Sequence, residues 1–277
     1  MKQILFFSMI AAFIFTACKK EVAARSDDPE NIIPPPVNNT VQDSCHIKTA
    51  YYYGGSGGIN DTADFFYTGL KLTSVIGTSA DVLYTYDGDR VLSMAYYEKP
   101  GNLLYHIDTF LYTNDSMITR KISHDYDMYN HFDTVHSVTD FLYSGNLLTQ
   151  LVTVDHYEGS TDTDTSTSDL RWENDNVKSI LFRSSYWADD SIYYNYDMVP
   201  NYFNATSRYF FMADPFFQIH VGFDPHLPYF ISKNNVINFT IYTNIDYPVT
   251  YQVDSMNHPL LVSQGGFEYM GYKWECP

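Results

Sequence analysis

The chain writes one short phrase more than once. Residues 65–75 read FFYTGLKLTSV and residues 141–151 read FLYSGNLLTQL, agreeing at the first aromatic, the Tyr, a small hydroxyl residue, the Gly, a Leu, the Thr and a closing aliphatic. Side chains alternate between faces along a strand, so Phe65 and Tyr67 share a face. Gly69 with Leu70 suits a two-residue turn, because Gly accepts the positive φ of a tight hairpin. Leu72 then returns opposite Tyr67 as an aromatic–aliphatic cross-strand pair. LRWENDNVKSI at 170–180 fits at the same length, with Trp172, Asn174 and Val177 in the Tyr, Gly and Leu places. YTYDGDRVLSM at 84–94 and FLYTNDSMIT at 110–119 are looser copies whose turns read as one residue longer. A chain built from repeated hairpins is confined to antiparallel sheet.

The remaining sequence agrees. Tyr (26) and Phe (19) are abundant and turn-forming Ser, Thr, Asn and Asp punctuate the chain, as short strands between turns require. No segment keeps a helical apolar spacing for three turns. The fold class expected over residues 45–277 is all-β, with repetitive antiparallel hairpins forming a large twisted or rolled meander sheet, open or partly closed.

The N-terminus reads as an address. Lys2 is followed by an apolar run from Ile4 to Phe15, too short to span a bilayer and ended by Lys19 and Lys20. Phe15-Thr16-Ala17-Cys18 resembles the lipobox of bacterial lipoproteins, which implies a signal peptide at 1–17, a lipid on Cys18 and attachment to a membrane. Residues 18–44, with Pro34-Pro35-Pro36 and paired Asn, have no apolar periodicity and read as a disordered tether.

The hairpin phrase resembles the YD repeats of RHS-type proteins, best carried by Tyr84, Tyr86, Asp87, Gly88, Arg90 and Leu92. Tyr194-Asn195-Tyr196-Asp197 and Tyr251-Gln252-Val253-Asp254 are further copies. As a whole the chain is similar to Bacteroidetes lipoproteins of unknown function built from such hairpins. That resemblance implies secretion, a place in the cell envelope at the outer membrane, and a curved or rolled sheet.

If Cys18 is lipidated, Cys45 and Cys276 remain, one at each end of the β-domain in an oxidising compartment. They are expected to form a disulfide joining the first strand to the last.

Chemistry is sparsely written. Gly-x-Ser-x-Gly and His-Glu-x-x-His are both missing. Gly54-Gly55-Ser56-Gly57-Gly58 lacks the Lys-Ser/Thr ending of a phosphate loop and reads as a hairpin tip. His124, His131, Asp133 and His136 fit no zinc spacing and read as solvated loop residues. Asp155, Glu158, Asp162, Asp164 and Asp169 lack the Gly and Glu of a calcium loop and read as a long mobile hairpin loop. No metal and no cofactor are expected. The net charge of −17 excludes a basic groove, and with it nucleic acid as a partner. Trp172, Tyr186 and Trp187 are candidate platforms for stacking on a glycan. Asp followed by a hydroxyl and an apolar residue marks Thr62, Ser116, Thr134, Ser191 and Ser255 as candidate O-glycosylation sites. The functional expectation is a lipid-anchored, non-enzymatic module binding a glycan or an envelope protein. The alternative is a glycan-directed hydrolase using paired carboxylates on adjacent strands.

Overall fold

The computed structural model describes residues 45–53, 59–113, 117–126, 133–159, 161, 163–185, 189–201, 228, 231–241 and 245–276. The proposed signal peptide, Cys18, the tether and the glycine run at 54–58 lie outside them.

Sixteen strands follow one another: β1 (His46–Tyr53), β2 (Ile59–Thr68), β3 (Lys71–Gly77), β4 (Ala80–Asp87), β5 (Arg90–Glu98), β6 (Leu103–Tyr112), β7 (Ile118–Tyr126) and β8 (Asp133–Ser144). Then come β9 (Leu147–Tyr157), β10 (Thr163–Glu173), β11 (Asn176–Ser184), β12 (Asp190–Pro200), β13 (Asn234–Ile241), β14 (Ile245–Val253), β15 (Pro259–Gln264) and β16 (Phe267–Glu275). Each pairs antiparallel with its sequence neighbour, and β1 also pairs with β16, so the meander is a closed barrel. The expectation of an open or partly closed sheet is corrected: closure pairs the backbone groups of both terminal strands and leaves no edge. The Cys45–Cys276 disulfide forms beside this seam, as the cysteine count predicted.

The repeated phrase is a bulged hairpin. Tyr67 faces Leu72 as its sequence predicts, but Phe66 faces Ser74, so Thr73 is the extra residue of a β-bulge. The Thr73 hydroxyl donates to the Phe66 carbonyl at 3.0 Å. Thr149 does the same for Leu142 at 3.1 Å and Thr119 for Leu111 at 3.2 Å. That is why the Thr recurs. Copy 84–94 pairs Asp87 with Arg90 and Tyr86 with Val91, the same spacing as 65–75, so its turn is not longer. In copy 110–119, Tyr112 faces Ile118, and there the extra turn residue is present.

In several copies the aromatic also has a bonding role. Tyr86 Oη donates to the Leu72 carbonyl at 2.6 Å, Tyr112 Oη to Val91 at 2.8 Å, and Tyr196 Oη to Val177 at 2.6 Å. Tyr251 Oη reaches Val236 at 2.9 Å, while Trp172 Nε1 reaches Leu148 and Trp274 Nε1 reaches Pro259, both at 2.7 Å. Each acceptor lies among the first three residues of an earlier strand. Tyr and Trp are interchangeable here because both end an apolar ring in a donor.

The core lies inside the barrel. Val75, Val82, Val177, Ile192 and Val236 have no exposed surface, and Tyr194 and Phe239 have 1% each. Such burial is incompatible with a water-filled lumen at that level. The outer face carries ion pairs within its strands: Arg120 grips Asp140 through Nε at 2.6 Å and Nη2 at 2.9 Å, Arg183 pairs with Asp169, and Lys48 meets Glu275 at 3.1 Å.

Candidate functional site

On β6–β10 the interior changes character. His106 and Asp108 alternate with Phe110 on the core-facing side of β6. Register then sets Ser123 opposite Asp108, Ser137 opposite Ser123, Asp155 opposite Ser137 and Asp164 opposite Asp155. A parallel row runs from Phe110 through Lys121, Thr139 and Thr153 to Ser166. Five strands thus line one wall of the interior with hydroxyls and charges, whereas the hydrophobic core residues gather mostly on the other strands. Residues at the same level on the outer face are the apolar Ile107, Ile122, Val138 and Val154.

The wall is bonded in several groups. Asp108 Oδ1 accepts from Ser123 Oγ at 2.5 Å and lies 3.1 Å from His106 Nε2 and 3.3 Å from Lys121 Nζ. His106 Nδ1 meets Asp125 Oδ1 at 2.5 Å. Ser137 Oγ donates to Asp155, Ser185 Oγ donates to Asp164, and Thr139 and Thr153 share a hydrogen bond of 3.0 Å. Burial alone would push the His106 pKa down. The hydrogen bonds and negative charges of Asp108 and Asp125 outweigh it and raise the pKa to about 9. Burial would likewise push Asp108 up, but Lys121, His106 and Ser123 hold it well below the usual carboxylate range. Two cations and two anions therefore neutralise one another, with Asp125 the exposed end of the chain at 44%.

Asp108 is not set up as a general acid. A glycosidase requires one carboxyl whose pKa is raised so that it can donate a proton. Asp108 and Asp125 sit on adjacent strands and share His106, yet Asp108 is held as a carboxylate.

The sequence-selected residues are dispersed. Trp172 is half-buried against the core with its indole N–H on Leu148, so its ring closes a hairpin rather than lying flat on the surface. Tyr186, Trp187 and Ser116 lie outside the described residues, as does the side chain of Thr134. Thr62 and Ser191 are half-buried and Ser255 is exposed. The Asp of these triplets is structural. Asp61 Oδ1 accepts from the Thr62 N–H at 2.7 Å, Asp190 Oδ1 from Ser191 at 2.6 Å, and Asp254 Oδ1 from Met256 at 2.8 Å. The long-loop reading of 155–169 is corrected, since β9 and β10 pair as far as Thr163 with His156. The loop reading of His124 and His136 is corrected too, because both stand on paired strands; His131 lies outside the described residues. Cys45, His258 and Cys276 bring three ligand-type atoms within 4.8 Å of one another, but both sulfurs are spent in the disulfide.

The interior wall was missed because its residues are scattered singly along five strands. Its signal was the hydroxyl and carboxylate run at alternate positions 164, 166 and 168, facing Asp155 and Thr153.

No protein-family model matches the chain, and no curated protein does. Among solved structures it is similar to a porin-like protein from Bacteroides uniformis ATCC 8492, at 10% identity and a TM-score of 0.46 over 83% of this chain and 98% of that one. A porin-like protein from Bacteroides vulgatus ATCC 8482 gives 9% identity and a TM-score of 0.47, with the same coverage.

Proposed function

We propose that this chain is a lipid-anchored protein of the bacterial cell envelope whose barrel is a non-enzymatic binding or interaction module standing in water. The observation that carries this reading is the polarity of the barrel. A membrane-spanning barrel turns an apolar band outward and keeps a polar interior, and a charge on its lipid face costs roughly 2–4 kcal/mol at mid-depth. Here Val75, Val82, Val177, Ile192, Tyr194 and Phe239 are among the most deeply buried residues inside, and the Arg120–Asp140 and Arg183–Asp169 pairs are outside. Attachment to the membrane then rests on Cys18, and reach on the tether of residues 18–44. The neutralised interior wall supports binding over catalysis.

Limited proteolysis of the membrane-bound native protein tests this, since Lys19, Lys20 and Arg25 offer trypsin sites in the tether. The reading expects an intact barrel released to the aqueous phase without detergent, and an acylated Cys18 in the retained peptide by mass spectrometry. A barrel that stays with the membrane after the tether is cut would overturn it. A polysaccharide pull-down with the released barrel then separates glycan from protein partners.

A further inference from the structure

Three histidines stand side by side on the outside of the barrel, on three consecutive strands. Register pairs His124 on β7 directly with His136 on β8, and His136 directly with His156 on β9. The His124 and His136 rings stack with centroids 4.4 Å apart, and the His136 and His156 centroids are 5.9 Å apart. They alternate with the interior Asp125, Ser137 and Asp155, which places them on the outer face. His156 is exposed, while His124 and His136 are half-exposed.

We infer that this histidine ladder is a binding site for a divalent transition-metal ion, held chiefly by His124 and His136 with His156 as the third ligand and water completing the shell. Neutral imidazole is the ligand type that zinc, copper and nickel favour, whereas calcium and magnesium demand oxygen. The row itself presents imidazoles, because Asp125 and Asp155 alternate with them and Asp140, on the outer face of β8, is taken up by Arg120. Paired strands fix the spacing of the three side chains, so binding requires only ring rotation and no backbone rearrangement. As placed, the three ligand nitrogens do not all lie within 4.8 Å of one another, so the rings must turn toward a shared ion, and the wider gap to His156 makes it the secondary ligand. A net charge of −17 concentrates cations around the domain.

The test is calorimetric titration of the untagged, full-length protein with Zn(II), repeated with Cu(II) and followed by electron paramagnetic resonance. One equivalent is expected to bind, tighter for copper than zinc, with nitrogen hyperfine structure on the copper signal and no competition from excess calcium. Loss even of an outer-sphere partner weakens metal sites by about tenfold or more, so His136→Gln is expected to lose at least that. His124→Gln should lose a similar amount and His156→Gln less. His46→Gln, on another part of the barrel, should be unchanged. Unaltered affinity in both His136→Gln and His124→Gln, with circular dichroism like that of the parent, would sink the assignment, as would the absence of stoichiometric binding by the parent protein. Folding of the exposed variant His156→Gln is not at risk, so a weakened but measurable affinity there supports the site independently.

Discussion

At the scale of single residues, the recurring Tyr of the hairpin phrase is a hydrogen-bond donor as much as a ring. Tyr196 Oη is bonded to the Val177 carbonyl at 2.6 Å and to Ser232 Oγ at 2.9 Å, and Ser232 is itself fully buried. Tyr196→Phe keeps the ring and removes both of these bonds, though Ser232 Oγ still accepts from the Val177 N–H at 3.1 Å, so it should cost about 1 kcal/mol in urea unfolding. A neutral outcome would mean that the ring alone matters. His106 and Asp108 give the barrel a pH profile. The folded His106 pKa of about 9 exceeds its ordinary value of 6.5, so its stabilisation is complete below that ordinary value and is lost as pH climbs towards 9. Asp108 is shifted the other way, so its contribution is complete above the ordinary 3.8 and is lost as pH falls through and below it. The urea midpoint should therefore decline on the alkaline side between these two His106 values, and His106→Gln should flatten that limb. An identical alkaline slope in the variant would remove His106 from the account. Little of this network was legible beforehand. Alternation along β6 and β7 tells which residues share a face but not which face turns inward. The default that apolar residues go inside is reversed where Ile107 and Ile122 look out and His106 and Lys121 look in.

At the scale of the hairpin, sequence reading went furthest, because a hairpin is local. The pairing of Tyr67 with Leu72 followed from spacing and one Gly. The bulge did not, because a strict two-residue period has no place for the extra Thr73, and its hydroxyl bond is visible only once the register is known. Turn chemistry differs between copies. Gly69 takes a φ of 62° and Gly145 a φ of 60°, whereas at the third copy both Asn174 and Asp175 are positive, at 52° and 64°. A Cβ at Gly69 would meet nothing within 4 Å, so any penalty there is conformational rather than steric. Gly69→Ala should destabilise by about 1–2 kcal/mol. Gly69→Asn, which tolerates the left-handed region, should cost clearly less. Equal losses for Ala and Asn would show that the turn relaxes to another type.

At the scale of the whole molecule, the decisive contact joins residues more than two hundred positions apart in sequence. Hairpin phrases specify neighbours only; whether sixteen strands close depends on the summed twist and stagger of every strand, which no single phrase contains. The one long-range signal was the pair of cysteines. Cys45 and Cys276 close a loop with a sequence separation of 231, and they sit where β1 meets β16. In the chain-entropy account a loop that long stabilises by up to about 5 kcal/mol, acting on the unfolded chain. A second effect acts in the folded state. Every other strand pair is joined at one end by a connection in the chain, whereas β1 and β16 are held by their own ladder, this bond and side-chain contacts such as Lys48–Glu275. Replacing both cysteines with Ser should therefore lower the urea midpoint and, below the transition, accelerate amide exchange in β1 and β16 more than in β8 and β9. Uniform acceleration around the barrel would mean that the disulfide acts on the unfolded chain alone, and that the seam closes as firmly as any hairpin.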